Sequence, residues 1–397
     1  MKKLSKIILK SGKDQSLYRM HPWVFSGAIK KIEGPVDEGV LVEVYNNQDE
    51  FMAIGHYQIG SIAVRALAFE KTEINASFWK KQIQSAFNIR QMLELIDNDQ
   101  TNVYRLINGE GDNMPGLIVD FYNGTAVMQF HSIGMYLDKE YIVAALKEVM
   151  GDRLIAVYDK SEATMPFKSS VKATNGYLMG ESDKSSTIVT EYGNRFSVDW
   201  VEGQKTGFFI DQRENRKMLG KYSKGRKVLN MFCYTGGFSV SALQGGAEIV
   251  HSVDSSKKAI DLTNMNVQSN FPNCTNHEAF ATDAFEYLEN IKDQYDVIVL
   301  DPPAFAKHQD ALHNALQGYK RINQKAFEQI KPGGILFTFS CSQVVSKENF
   351  RKSVFAAAAS SKRKVSILHQ LSQPSDHAIN MYHPEGEYLK GLVCYVE

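Results

Sequence analysis

The chain has 397 residues, with 45 Lys plus Arg balanced by 45 Asp plus Glu, 43% hydrophobic and 23% charged residues, so no global field draws in a polyanion and one ordinary core cannot hold it at roughly 150 residues per domain. No apolar run approaches the ~18 residues that span a bilayer, and the basic start "MKKLSKIILKSGKDQ" lacks a secretory core and cleavage site, which predicts a cytoplasmic protein with no membrane partner. Cys233, Cys274, Cys341 and Cys394 show neither zinc nor disulfide spacing, so reduced thiols and no metal are expected.

In chain order, residues 1–72 hold the β-rich pieces "GVLVEVYN", "FMAIGHYQ" and "IAVRALAF" between Gly, Asn and Asp, predicting a small barrel or sandwich. Residues 73–186 change texture. A helical stretch "SFWKKQIQSAFNIRQMLEL" precedes "GLIVDFYNGTAVMQF", two strands hinged at Asn123-Gly124, and a helix near 136–150 and a strand near 154–158 complete an α+β unit. Basic clusters at Lys2 to Lys13, 213–217, 224–227 and 361–364 are either phosphate patches or ordinary solvated surface.

Residues 187–397 alternate β-branched runs with amphipathic segments, the pattern of a doubly wound, Rossmann-like α/β sheet. Strands are expected near 228–232, 249–253, 278–282, 296–300, 335–339, 365–369 and 390–396, with "FSVSALQ", "SKKAIDLTNMNVQ", "AFEYLENI" and "LQGYKRINQKAFEQI" as helices between the first five. "KPGG" at 331–334 stops the last of these helices and turns the chain into the fifth strand.

"VLNMFCYTGGFSVSAL" (228–243) is a strand, a Gly-containing turn and a helix, the place where such sheets bind ligands. It lacks the three spaced glycines that seat a pyrophosphate. With Asn230, Tyr234, Thr235, Gly236 and Gly237 in the turn, a phosphate-free ligand fits better, and S-adenosylmethionine (SAM) is one. Its amino acid portion would meet Asn230 and backbone groups, its ribose diol Asp254, and its adenine amino group Asp283. The plain alternative is that these aspartates cap helices.

"DVIVLDPPAFAK" ends a fourth strand at Asp301, next to the first strand and facing the transferable methyl group. Pro302 and Pro303 fix the loop and free carbonyls for a base edge, and Phe305 is placed to stack on that base. Cys341 in "LFTFSCSQ" ends the neighbouring fifth strand. A thiolate adding to carbon 6 of a pyrimidine turns carbon 5 into a nucleophile for the SAM methyl, while Asp301 hydrogen-bonds or protonates nitrogen 3. Cys233, Cys274 and Cys394 read as structural thiols.

Several further stretches carry a resemblance. "HPWVFSGAIKKIEG" (21–34), "GEGDNMPGLIVDFYNG" (109–124), "TGFFIDQRENR" (206–216), "DPPAFAK", "SCS" and "PEGEYLKGL" (384–392) together resemble the bacterial large-subunit rRNA 5-methylcytosine methyltransferases of the RlmI type. The resemblance covers essentially the whole chain. It implies a PUA domain, a central α+β domain and a class I methyltransferase domain, with ribosomal RNA as partner. It also implies SAM contacts from Gln212, Arg213, the 230–236 turn including Phe232, Asp254, Asp283 and Asp301, a nucleophilic Cys341, and "PEGEYLKGL" in a closing hairpin. Other RNA 5-methylcytosine enzymes carry a second cysteine where this chain has Pro303, so release by that thiol is not open to it. Methylation of a guanine or other base nitrogen, a non-catalytic RNA-binding assembly factor, and a homodimer all stay open at this point.

Overall fold

The computed structural model describes residues 4–166, 171–180, 185–306 and 308–397. The first six strands form one curled sheet in the order Trp23–Phe25, Ile62–Ala68, Phe51–Tyr57, Leu41–Tyr45, Ser5–Leu9, Ile29–Glu33. Alternation of apolar residues puts Ile7, Leu9, Val42, Val44, Met52 and Val64 on its inner face, where they make a small core. Three of these strands, Ser5–Leu9, Trp23–Phe25 and Ile29–Glu33, lie outside the β-rich pieces expected from sequence.

A second sheet follows, ordered Gly176–Met179, Ala156–Asp159, Thr125–Phe130, Leu117–Tyr122, Val103–Asn108. Its central hairpin turns where expected, with Asn123 and Gly124 at φ +44° and +103°, the left-handed pair that matches strand twist. Helix Ala76–Met92 is capped by Asn75, whose side chain accepts from Phe78 N–H. It buries Trp79, Ile83 and Phe87 against Leu106, Val119 and Met128. The helix expected near 136–150 is two helices, Ile133–Leu137 and Lys139–Met150, parted at Asp138. A separate hairpin, Ser186–Glu191 with Asn194–Asp199, joins Val189, Phe196 and Val198 to the large sheet's helices and to Val103 and Tyr122 of the second sheet.

The large sheet has seven strands: β1 Lys227–Met231, β2 Ile249–Asp254, β3 His277–Ala281, β4 Val297–Leu300, β5 Gly334–Ser340, β6 Val365–Leu371 and β7 Lys390–Val396. Their order is β3-β2-β1-β4-β5-β7-β6, with β7 alone antiparallel to its neighbours. The helices are α1 Arg213–Ser223, α2 Gly237–Gln244, α3 Lys257–Asn270, α4 Ala284–Leu288, α5 Leu312–Gln329 and α6 Lys347–Ser361. Both faces are covered, so the inner strands read as unbroken apolar runs: Val297–Leu300 and Gly334–Ser340 are buried at every position. β6 and β7 are an antiparallel pair, yet the chain between them makes an excursion through residues 372–389 instead of a tight hairpin.

That excursion touches both preceding sheets and α1. Asp376 pairs with Arg213, Asn108 donates to Ala378 O, Asn380 donates to Glu110 O, and His21 of the first sheet meets Glu385. Buried Arg90 bridges Asp112 and Asp376 O from the central helix. No helix among the described residues is long and apolar enough to cross a membrane.

Candidate active site

β1 lies between β2 and β4, so the connections leaving it diverge and leave a crevice at the strand ends. The turn there has an alternating backbone. Phe232, Tyr234 and Gly236 stand at φ +59°, +47° and +74°, Cys233 N–H donates to Val253 O at 3.1 Å, and Gly236 N–H donates to Cys233 O at 2.8 Å. Any side chain at 236 meets Thr263 of α3 at 2.7 Å, so glycine alone seats the turn against that helix. Asp254 receives the turn, its Oδ2 accepting from Tyr234 N–H at 3.1 Å and its Oδ1 from Ser256 N–H at 2.9 Å.

The register Met231↔Leu300 and Leu300↔Thr338 carries the crevice across to β4 and β5. Asp301 and Cys341 therefore leave adjacent strands at the same edge. Their loops are tied: Ser342 Oγ donates to Ala306 O at 2.5 Å. Gln212 donates to Asp301 Oδ1 at 3.1 Å and accepts from Asn215 at 2.6 Å. Burial and the neighbouring Asp211 charge push the Asp301 carboxyl up to about 7. Burial and Asp301 push the Cys341 thiol up to about 11. The resting pair is thus a carboxyl on the edge of protonation beside a neutral thiol.

Residues 155–377 match the model of the S-adenosylmethionine-dependent methyltransferase family, more than half of the chain, and residues 7–69 match that of a PUA-like domain. The chain belongs to the SAM-dependent methyltransferases. The methyltransferase is 39% identical to Ribosomal RNA large subunit methyltransferase I of Vibrio vulnificus (strain CMCP6), over 98% of this chain and 99% of that one. It is 37% identical to the protein of the same name from Klebsiella pneumoniae (strain 342), over 98% of each chain. A provisionally assigned SAM-dependent methyltransferase from Streptococcus mutans shares the fold, with TM-score 0.84 and 24% identity over 98% of this chain and all of that one. A similar chain, TM-score 0.85 and 24% identical, was solved with S-adenosylhomocysteine (SAH).

The side chains of the methyltransferase fit a SAM site unevenly. Each Asp254 oxygen keeps a lone pair, free for the two ribose hydroxyls. Asp283 is the N-cap of α4, with Oδ1 accepting from Phe285 and Glu286 N–H at 2.8 and 3.1 Å; Oδ2 takes no hydrogen bond among the described residues, so the cap leaves that oxygen open to a ligand donor. Asn230 lies beneath the turn, 1% exposed. Its Nδ2 donates to Ser239 at 2.8 Å, starting a chain through Ser252 to His277, while Oδ1 has no partner among the described residues. Thr235 is buried and its carbonyl accepts from Asn266. Phe232 packs half-buried into the core under β4, and Tyr234 sets its ring 5.1 Å from Phe209. Arg213 is committed elsewhere: its guanidinium holds Asp376 at 2.8 Å and Val103 O at 3.3 Å.

Of the residues expected to face the base, Pro302 is buried, Pro303 is exposed, and Phe305 lays its ring 4.6 Å from that of Tyr319, tilted by 34°. Lys307, the end of "DPPAFAK", lies outside the described residues. Four residues not singled out from sequence also converge here. Asp211 is buried, accepts from Tyr388 OH at 2.8 Å, and has an Oδ1 without a partner among the described residues. Lys205, over the Phe209 ring at 4.6 Å, stands 3.5 Å from Asp211 and favours the charged forms of Asp301 and Cys341. Lys390 begins β7 beside the Cys341 turn. Three of the four sit in quoted stretches, "TGFFIDQRENR" and "PEGEYLKGL", and Lys205 directly precedes the first; only a return of the chain to the strand ends makes them part of a site.

Proposed function

We propose that this methyltransferase modifies carbon 5 of a cytosine in large-subunit ribosomal RNA, with the sheet of residues 5–68 and the central sheet gripping the RNA. The names of its relatives support the RNA substrate. The single observation supporting the chemistry is the placement of Cys341 beside a proton-bearing Asp301 on tied loops at one sheet edge. SAM, when bound, supplies an electrophilic methyl group. The turn at 232–236, Asp254 and Asp283 hold it in this reading, and Gln212 sets the angle of Asp301.

The Cys341 thiolate forms a bond to carbon 6 as Asp301 gives its proton to nitrogen 3, and the electron pair moves to carbon 5. Carbon 5 takes the methyl group. Water then takes the carbon 5 proton, the carbon 5–carbon 6 double bond reforms as the carbon–sulfur bond breaks, and nitrogen 3 returns its proton to Asp301, so that thiolate and carboxyl are both regenerated. A carboxyl with an ordinary value near 4 would be almost fully ionised at neutral pH, whereas Asp301 at about 7 keeps a proton on roughly half the molecules.

The test is a Cys341→Ala variant. It should bind SAH by calorimetry as the parent does and lose all turnover, and RNA carrying 5-fluorocytosine at the target should give a covalent adduct with the parent only. Full activity of the variant sinks the carbon 5 mechanism in favour of a base nitrogen, and absence of SAH binding by the parent turns the reading to an RNA-binding factor.

A further inference from the structure

Lys390 sits opposite Ser340 in the β5–β7 pairing, one residue from Cys341. The lysine is 3% exposed, and its Nζ donates to Ser342 O at 2.5 Å and to Tyr388 O at 2.7 Å. Among the described residues no carboxylate stands within ion-pair distance of it; Glu387, near in sequence, is paired with Lys347. A buried ammonium without a counter-ion is costly. Two carbonyls satisfy two of its protons and none of its charge. The acidic group whose charge bears on it most is the Cys341 thiol, followed by Glu387, while Lys347 opposes.

We propose that Lys390 is the positioning cation for the Cys341 thiolate: it pins the turn that carries the nucleophile through Ser342 O and supplies the positive charge against which the thiol ionises. This rests on Cys341 being the nucleophile. The proton balance is simple. The thiol gives its proton to water, leaving sulfide anion beside ammonium, and the sulfur lone pair forms the bond to carbon 6 while Lys390 stays protonated. Around Cys341, Asp301 and Asp211 oppose ionisation and Lys205 favours it. Burial pushes Lys390 down to about 8 and Cys341 up to about 11, so near neutrality the lysine still holds its proton while the thiol holds its own, and the ammonium beside it lowers the cost of the thiolate.

Iodoacetamide labelling of the full-length protein from pH 6 to 10, read by mass spectrometry of the Cys341 peptide, tests this without turnover. Half-exposed Cys274 is the internal control. In Lys390→Met, labelling of Cys341 at pH 8 should slow at least about tenfold, one unit of thiol pKa, with Cys274 unchanged and SAH binding retained. Lys390→Gln, a second neutral variant, should behave alike, and Lys390→Arg, which keeps the cation, should stay within about threefold of the parent. Neutral variants that keep the parent profile, or an arginine variant as slow as they are, overturn the proposal. Because the label reads the thiol and not methylation, an active Cys341→Ala variant would remove the carbon 5 reading while leaving this measurement intact.

Discussion

Replacing Asp211 by Asn removes a negative charge that faces Asp301 while keeping an oxygen to accept from Tyr388 OH. Asp211 itself is held down to about 2, burial working against Lys205, His377, Tyr388 and Arg105, so it is anionic throughout the working range. Its charge is the second cause, after burial, of Asp301 standing at about 7. Taking one unit of that rise as the share of a close buried like charge, the variant's Asp301 titrates near 6. If the reaction needs the Asp301 proton, the rate falls as pH rises through the Asp301 value, and the variant's fall begins one unit earlier. The ratio of protonated fractions then gives a loss of about tenfold at pH 8 and above, and less than about twofold at pH 6 and below. Single-turnover transfer of labelled methyl groups to an rRNA fragment between pH 5.5 and 9 measures this. A variant whose alkaline limb coincides with the parent's, or whose loss is the same at pH 6 and pH 8, refutes the assigned coupling.

Gly236→Val should weaken SAH binding and lower stability by about 2 kcal/mol, because the position combines φ +74° with a 2.7 Å approach to Thr263; calorimetry and thermal melting read the two effects, and a neutral substitution would remove the steric account of the turn. Asp376→Asn should cost about 3–5 kcal/mol at pH 7, since it removes the buried partner of Arg213 and leaves only half-exposed Glu214, 3.5 Å away, as a counter-charge within ion-pair distance. Against burial, which raises it, His377 and Arg213 hold the Asp376 carboxyl well below its ordinary range, so its stabilisation is present above about pH 4 and is lost as acid protonates it. The gap between parent and variant in urea midpoints should therefore shrink below pH 4.

The large sheet was legible because its strands are buried on both faces: "VIVL" and "GILFTFS" cannot be mistaken for surface. The strand-end acids followed from that topology, since fixing β1, β2, β3 and β4 also fixes where Asp254, Asp283 and Asp301 lie. The first sheet was read in part. Ile29–Glu33 at the sheet edge and Ser5–Leu9 beside it carry lysines whose charge hides their pairing. The cluster at 213–217 was read as either a phosphate patch or solvated surface, yet Arg213 and Arg216 are buried in ion pairs with Asp376 and Glu191, a fate set by partners far away in sequence. Asn230 was placed correctly at the end of β1, but alternation turns its side chain under the turn toward α2. Asp211 and Lys390 were out of reach for the same reason: an acid in a short loop and a lysine at a strand start gain chemical meaning only when 205–212 and 388–390 fold back onto the crevice.

The excursion through residues 372–389 ties the central sheet to α1 through the buried Asp376–Arg213 pair and backbone acceptors, reaches the crevice through Tyr388 on Asp211, and meets His21, just ahead of the first sheet's strand Trp23–Phe25, through half-exposed Glu385. A connection of that kind behaves as the frame of a caliper. If the first and central sheets grip RNA as proposed, the gap between that grip and the crevice is built into the protein's own geometry, and the RNA it accepts is one whose folded shape presents a base at that fixed reach.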